Sequence, residues 1–367
     1  MAHQIKNHIS GIRAGRGLSV AELAKRVGVT RQTLYSIEAG TYVPNTEVAL
    51  KMARELETSV EELFVLPKSE LDASAAMQTD YLSSSKPGKG QAVRVCRVGD
   101  KWVSIPASPS PYYMPEADGV ITETTRTAVF SKEEAGRKRL VIAGCDPATS
   151  LLARLVERLS GVEVVHAPAS SRLALTWLKE GKVHIAGSHL EDPDTAEFNL
   201  PFVRRTFPRQ EMSVLTFAEW EEGFVVVRGN PKNIRSIHDL VRTGVRFTNR
   251  ETGSGSRGLL DKLLRKASLR PARISGYDRV VPGHLAAAHS IVIGDADCCI
   301  ATRSAAQSYG LGFVPLRSER YDFVLRRETM DHPAVEAFCD VLQRSVVRRK
   351  LETLAGYDTS KTGALLV

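Results

Sequence analysis

From residue 5 to residue 64, apolar positions recur every three or four residues in short runs that break at glycine. Ile5, Ile9 and Ile12 share one helical face up to Gly15 and Gly17, which end a first helix. Ser19, with Glu22 three residues on, forms a capping box for a second helix, VAELAKRV, which stops at Gly28. Thr30 caps a third, RQTLYSIEA, ending at Gly40. Two further helices, TEVALKMAREL and VEELF, supply apolar backing through Val48, Leu50, Met52, Ala53, Leu56, Leu63 and Phe64. Two short helices joined by a tight glycine-containing turn have the form of a helix-turn-helix.

The pattern then changes twice. Residues 67–91 shift to Ser, Lys, Pro and Gly, with SSSKPGKGQ the clearest linker. Residues 92–137 alternate as strands around the two-residue hairpin signal Gly99-Asp100 and include a second strand-like run, GVITETTRTAVF. So small a block predicts a strand-rich connector packed on a neighbour, although Trp102 and SPSPYYMP could instead form a binding surface. From residue 138 to 367, apolar strands alternate with helices: LVIAG, VEVVHA, VHIAGSH, GFVVVRG, VRFTNR and CCIATR mark the strands. Such alternation predicts parallel sheets, here in two α/β groups flanking a cleft.

In open sheets of this kind, ligands bind at the C-terminal strand ends, where helices start. The candidate ends are Cys145 with Asp146, Ser170 with Ser171, Ser188 with His189, the Asn249 to Ser256 loop, and Thr302 with Arg303. The stretch ETGSGSRGLLDKLL places Ser254, Gly255 and Ser256 before an amphipathic run, as an anion site at a helix start would need. It is equally the form of a plain helix cap. It contains neither a phosphate-loop nor a dinucleotide fingerprint.

Composition narrows the classes. The 367 residues suggest two or three domains, and a net charge of +8 with a pI near 9.2 hints at a polyanionic partner. The excess is concentrated early: Lys6, Arg13, Arg16, Lys25, Arg26 and Arg31 stand against Glu22 and Glu38 before residue 41. Five scattered cysteines lack any CxxC or metal spacing and read as reduced thiols. Cys298 and Cys299 lie in an apolar strand and read as core. His184 and His189 straddle one strand without partner spacing and read as structural, so no metal ligand is expected. The polar start and the lack of a long apolar run imply a cytoplasmic protein with no membrane partner.

The segment GLSVAELAKRVGVTRQTLYSIEAGTYVPNTEVALKMARELETSVEELF resembles the Cro/C1 (XRE) repressor family across its helical domain, residues 1–66. The resemblance implies a third helix in the major groove of double-stranded DNA. Arg31, Gln32, Thr33 and Ser36 would then read base edges, while Arg13, Arg16 and Lys25 would contact phosphate. Arg31 could instead touch phosphate alone, and Tyr35 either contacts phosphate or packs. The family's habit implies a homodimer on a near-palindromic operator.

A second resemblance covers roughly residues 139–363. AGCDPATSLLARL, GKVHIAGSHLEDPDTAEFNLPFVRR, VVVRGNPKNIRSIHDL, GVRFTNRETGSGSRGLLDKLL, ERYDFVL and GYDTSKTG are together similar to the periplasmic-binding-protein-like domain related to molybdate-binding proteins. It implies a two-lobed, type II α/β fold and an effector of the molybdate or tungstate class, with no resident cofactor. Hydroxyl and N–H donors would come from Cys145, Ser170, Ser171, Ser188, Asn249, Ser254, Gly255, Ser256 and Thr302. Tyr321 would close over the ligand or pack in the core. Asp146 would either cap the helix begun by Pro147 or repel an anion, and Arg257 and Arg303 could as well pair with a carboxylate ligand.

The reading is therefore a one-component, ligand-responsive transcription regulator. Its alternatives are an organic acid or other small metabolite as effector, or a C-terminal domain used only for dimerisation or partner docking. With no GxSxG and no recognisable catalytic carboxylate pair, an enzyme is not expected.

Overall fold

The computed structural model describes residues 5–65, 76–107, 114–131, 135, 138–208 and 211–367. The chain divides into two compact units, residues 1–72 and 73–367. Part of the expected linker, residues 67–75, and most of SPSPYYMP, residues 108–113, lie outside the described residues.

In the first unit, strand β1 (Lys6–Asn7) precedes α1 (Ile9–Gly15), α2 (Val20–Val27), α3 (Arg31–Glu38), α4 (Thr46–Glu55) and α5 (Val60–Leu63), and β2 (Phe64–Val65) closes it. The capping box of Ser19 and Glu22 forms as its spacing predicts, and Gly28 ends α2 in the left-handed conformation. Ile9, Leu23, Leu34, Ile37, Met52, Leu56 and Leu63 make the core. Two expectations change. Ile5 precedes the first helix rather than joining it, because residues 6–7 pair antiparallel with 64–65. Leu50, expected as backing, is 58% exposed, since it lies on the face of α4 opposite Met52 and Ala49.

In the second unit, the supposed linker contributes structure: β3 (Ala76–Gln78) and β4 (Asp80–Tyr81) join β5 (Ala92–Val98), β6 (Lys101–Pro106), β7 (Gly119–Glu123) and β8 (Arg126–Val129) in a six-stranded sheet. Val93, Val95, Ile121 and Val129 pack beneath one face. Cys96, Val98, Val103 and Ile105 pack into the core of the neighbouring α/β lobe. The connector is thus a small sheet docked on its neighbour.

The larger sheet has eight strands in the order β10-β9-β11-β16-β12-β15-β13-β14. One lobe holds β9 (Arg139–Gly144), α6 (Thr149–Ser160), β10 (Glu163–Pro168), α7 (Ser171–Lys179), β11 (Ile185–Ser188) and α8 (Leu200–Thr206). Next comes the long strand β12 (Met212–Val226). The other lobe holds β13 (Phe247–Arg250), α9 (Gly255–Lys266), β14 (Val280–Val281), α10 (His284–Val292), β15 (Cys298–Thr302) and α11 (Arg303–Ser308). The second long strand, β16 (Gly312–Arg326), is followed by α12 (Pro333–Gln343) and α13 (Ser345–Ala355). Pairing within each lobe is parallel, as the alternation predicts. The two 15-residue strands pair antiparallel with each other and run through both lobes, so the sheet is mixed. Their register shifts between Thr216 and Ala218 and again between Glu222 and Gly223. Such irregularities bend strands locally.

Arg139, the first residue of β9, ties the two sheets together. Its guanidinium donates to both oxygens of Asp118 (2.8 and 2.9 Å), to Glu163 (2.8 Å) and to the Val95 carbonyl (2.7 Å). Burial opposes the charge of Asp118, but the bonds from Arg139 and the Val95 N–H hold its carboxyl below the usual range. Asp118→Asn is expected to lower the unfolding free energy of the full chain by about 3 kcal/mol near neutral pH, as when one partner of a buried pair is removed. The depressed pKa gives stability that is present above the unfolded-state value and lost as pH falls through the folded one. The gap between the two proteins in urea melts should therefore narrow in acid. A pH-independent gap would assign the loss to packing.

Candidate functional site

The C-terminal ends of β9 and β10 and the segments around the helix starts of the opposite lobe face one cavity of about 620 Å³. Gly144, Cys145, Pro147 and Ser170 line it from one lobe, and Thr252, Gly253, Pro282 and His284 from the other. Such a place is where open α/β sheets bind ligands.

Behind its wall the two long strands present alternate side chains between the two register shifts: Trp220 and Glu222 from β12, and Arg317, Glu319 and Tyr321 from β16. Cys145 Sγ lies 3.3 Å from His189 Nε2 and 3.8 Å from His284 Nε2. His189 Nδ1 is 2.7 Å from Glu319, whose other oxygen accepts from Arg317 (2.6 Å). His284 Nδ1 lies 4.0 Å from Glu222 without a hydrogen bond, and Glu222 accepts from the Ser256 hydroxyl. The imidazole of His189 stands against Trp220 and Tyr321, with ring centroids 5.3 and 5.9 Å away. Both histidines and both glutamates are buried.

This polar cluster is electrostatically dense. Burial, reinforced by Glu319, pushes the Glu222 carboxyl up to about 8. Burial would depress His189, but the neighbouring Cys145 and Glu222 carry it above the usual histidine value. Burial, aided by Arg250 and His189, holds His284 well below that value. Asp146, beside Cys145, is pushed up to about 7 by burial and accepts bonds from the Ala148 N–H (2.7 Å) and the Tyr357 hydroxyl (2.8 Å). The helix here starts at Thr149 with Ala148 at its N-cap and no side-chain cap, so Asp146 bonds within the turn before the helix rather than capping it as expected.

The residues expected to grip an anion fall into two groups. Cys145 and Ser170 face the cavity, although the Ser170 hydroxyl also caps α7 at the Leu173 N–H. The others are engaged within the protein, except Ser188, whose buried hydroxyl has no hydrogen-bond partner among the described residues. Ser171 accepts from the His189 N–H, and the Ser254 hydroxyl donates to the Glu251 carbonyl while capping α9. Ser256 binds Glu222, Asn249 bonds the Tyr277 carbonyl, Thr302 caps α11, and Ser188 is buried. Gly255 has another reason for its identity: a Cβ there would sit 2.4 Å from the His189 ring. Tyr321 lies fully buried in the core rather than over the cavity mouth. Arg257 pairs with Asp261 over the Tyr277 ring, and Arg303 with Glu221 over Phe313. His184 accepts from the Val141 N–H, a structural role, whereas His189 converges on Cys145.

Sequence reasoning did not single out His284, Glu222, Glu319 or Trp220. Glu222 and Glu319 had a trace in the pattern, as charges alternating with aromatics inside strand-like runs.

In the first unit, the face of α3 carrying Arg31, Gln32 and Tyr35 is exposed, while Leu34 and Ile37 are buried. Lys25 is exposed, and Arg16 binds Glu57 at the surface. Arg13 departs from its expected place at phosphate: its guanidinium bonds Glu38 (2.7 Å) and the Leu18 carbonyl (2.7 Å), tying α1 to α3.

Comparison with known proteins follows this division. Residues 10–63 match the helix-turn-helix family, and residues 152–343 match the PBP superfamily domain. The chain belongs to the PBP superfamily. Its relatives include the Bacillus subtilis (strain 168) protein YvgK, 32% identical over 239 residues that span 65% of this chain and 77% of YvgK. The HTH-type transcriptional regulator YgzD of the same organism is 42% identical over 62 residues, 17% of this chain and 94% of its own. Among solved structures, the sulfate-binding protein SubI from Mycobacterium tuberculosis H37Rv aligns with a TM-score of 0.44 and 18% identity, covering 60% of this chain and 85% of SubI. The chain is thus a helix-turn-helix regulator carrying a PBP-superfamily domain.

Within that PBP-superfamily domain, close packing makes a direct prediction. A Cβ at Gly187 would fall 1.8 Å from the Tyr321 hydroxyl, whereas one at Gly258, inside α9, meets nothing within 4 Å. Gly187→Ala should cost about 1–3 kcal/mol through overpacking. Gly258→Ala should be neutral or stabilising by up to about 1 kcal/mol. Thermal melts of both variants check the contrast, and equal effects would refute it.

Proposed function

We propose that the protein is a one-component transcription regulator that reads duplex DNA with α3 and responds to a small ligand held in the cleft of its PBP-superfamily domain. The observation that carries this reading is the union, in one chain, of a helix-turn-helix unit with an exposed recognition face and a two-lobed domain with a cavity of about 620 Å³. Arg31 and Gln32, exposed at the N-terminal end of α3, carry the multiple donors and acceptors that suit guanine and adenine edges. One such unit spans few base pairs, so the reading includes a homodimer on a near-palindromic operator, acting in the cytoplasm where the DNA is. Ligand-driven closure alters DNA affinity only if the ligand favours one lobe arrangement over another.

For the ligand, the engaged hydroxyls of Ser254 and Ser256 weaken the case for an oxyanion of the molybdate or tungstate class, and the sulfur and imidazole nitrogens of Cys145 and His284 at the cavity favour a cation. Calorimetric titration of the full chain with molybdate, tungstate, sulfate and phosphate tests the oxyanion alternative. No heat of binding is expected, and saturable binding of molybdate and tungstate alone would restore that alternative.

The DNA reading is tested by selecting duplexes from a randomised library with the full chain. Enriched sequences should contain two inverted half-sites whose centres are about 10 base pairs, or a multiple, apart. Enrichment of a single unsymmetrical site would argue against the dimer. On the selected duplex, Arg31→Ala should weaken binding by about 1–3 kcal/mol with little change on random DNA. Equal losses on both would assign Arg31 to phosphate.

A further inference from the structure

Three side chains from three separate connections meet at the floor of the cleft. Cys145 follows β9, His189 follows β11, and His284 begins α10 in the opposite lobe. Their donor atoms, one sulfur and two imidazole nitrogens, all lie within 4.8 Å of one another. The sulfur is 3.3 Å from one nitrogen and 3.8 Å from the other. A tetrahedral zinc ion, with a sulfur bond of about 2.3 Å and nitrogen bonds of about 2.0–2.1 Å, holds sulfur and nitrogen about 3.6 Å apart. The two observed separations bracket that value.

The surroundings support the two histidines unequally. Each imidazole turns its Nε2 to the sulfur; the Nδ1 of His189 bonds Glu319 at 2.7 Å, whereas the Nδ1 of His284 has no hydrogen-bond partner among the described residues and lies 4.0 Å from Glu222. Carboxylates behind histidines are the usual outer partners of a bound metal, because they fix the tautomer and raise the basicity of the ligating nitrogen. Cys145 and His284 also line the cavity, which leaves an approach from the open side.

We propose that Cys145, His189 and His284 form a binding site for a thiophilic transition-metal cation, zinc(II) or copper(I), with a fourth coordination position open to the cleft. One thiolate and two imidazoles suit these ions and not magnesium or calcium, which take oxygen ligands. The site deepens the ligand-responsive reading above and rests on that reading for its regulatory meaning: the ligands come from both lobes, so the ion would cross-link them.

A thiol beside an imidazole beside a carboxylate is also the order of a nucleophile, its base and an orienting group, which Cys145, His189 and Glu319 satisfy. That chemistry has no task for His284, whose Nε2 faces the same sulfur from the opposite lobe. The second imidazole therefore points to a metal.

The test uses the full chain, reduced and stripped with a chelator, then titrated with zinc(II) and, without oxygen, with copper(I), each against a chromophoric competitor. Cobalt(II) serves as a spectroscopic probe, since tetrahedral thiolate coordination gives a charge-transfer band and intense d–d bands. One equivalent per chain and a cobalt–thiolate band are expected. Cys145→Ser should abolish the band, while His284→Gln and Glu319→Gln should each weaken binding at least 10-fold. Cys339→Ser, outside the cluster, should change neither. Circular dichroism confirms that each variant is folded, and the wild-type stoichiometry decides the matter even if one variant is not.

The proposal falls if the wild-type chain shows no cobalt–thiolate band, or if folded Cys145→Ser keeps the wild-type affinity. It also falls if iodoacetamide alkylates Cys145 rapidly and zinc does not slow the reaction. Affinity for the selected duplex, measured with and without metal, separates the two readings. Metal bound at Cys145 without an effect on DNA leaves the site standing and overturns its sensing role. No metal binding, with a different cleft ligand shifting DNA affinity, does the reverse.

Discussion

The second unit is organised by the antiparallel pairing of β12 with β16. These two long strands belong to both lobes, and the parallel strands of each lobe attach to one side or the other of the pair. Their central stretch has no freedom to turn its side chains at will, because alternation fixes every second residue on the same face. Arg317, Glu319 and Tyr321 therefore arrive together beneath the cleft, opposite Trp220 and Glu222. The C-terminal residues reinforce this axis. Asp358 and Leu365 bridge to Glu219 and Leu215, and the Thr362 hydroxyl donates to the Phe217 carbonyl where the register first shifts.

Burying five ionisable or aromatic groups on that axis is costly unless each finds a partner. Ser256, in the first turn of α9, bonds Glu222, and Arg317 bonds Glu319 two residues along the same strand, while the Trp220 Nε1 and the Tyr321 hydroxyl have no hydrogen-bond partner among the described residues. The tight approach of Gly255 to His189, and of Gly144 and Gly187 to Tyr321, makes room for the rings. The polar cluster and the glycine-lined shell around it are thus one packing solution, and a change in either is felt by the other.

Much of the fold was legible in local pattern. Capping residues and helical spacing placed the five short helices of the first unit, and the alternation of apolar runs placed the parallel strands. Where local signals misled, a non-local pairing had intervened. Residues 6–7 leave the helical pattern because they pair with 64–65, and residues 76–81 look like linker because edge strands this short need little apolar content. A cavity lies at some of the strand ends named from the sequence, those at Cys145, Ser170 and Thr252, while the expected chemistry was read from the most conspicuous composition, the Gly/Ser turn. Those hydroxyls serve the helix and the glutamate beside it. The convergence of Cys145, His189 and His284 spans 139 residues of chain and crosses between lobes, so no spacing rule could reveal it. Glu222 and Glu319 were hidden for a related reason, since a charge in an apolar strand reads as exposed until its buried partner is known.

The two register shifts in the β12–β16 pair enclose the same few residues that lie behind the wall of the cleft. If bending is concentrated where the ladder is interrupted, this stretch is also the fulcrum of the two lobes. An occupant there acts on a short lever arm, whereas one that bridges the rims acts on a long one. A change of a few tenths of an ångström between groups at the fulcrum is magnified at the lobe tips. A ligand of atomic size, too small to span the mouth of the cavity, would then still suffice to set the angle between the lobes.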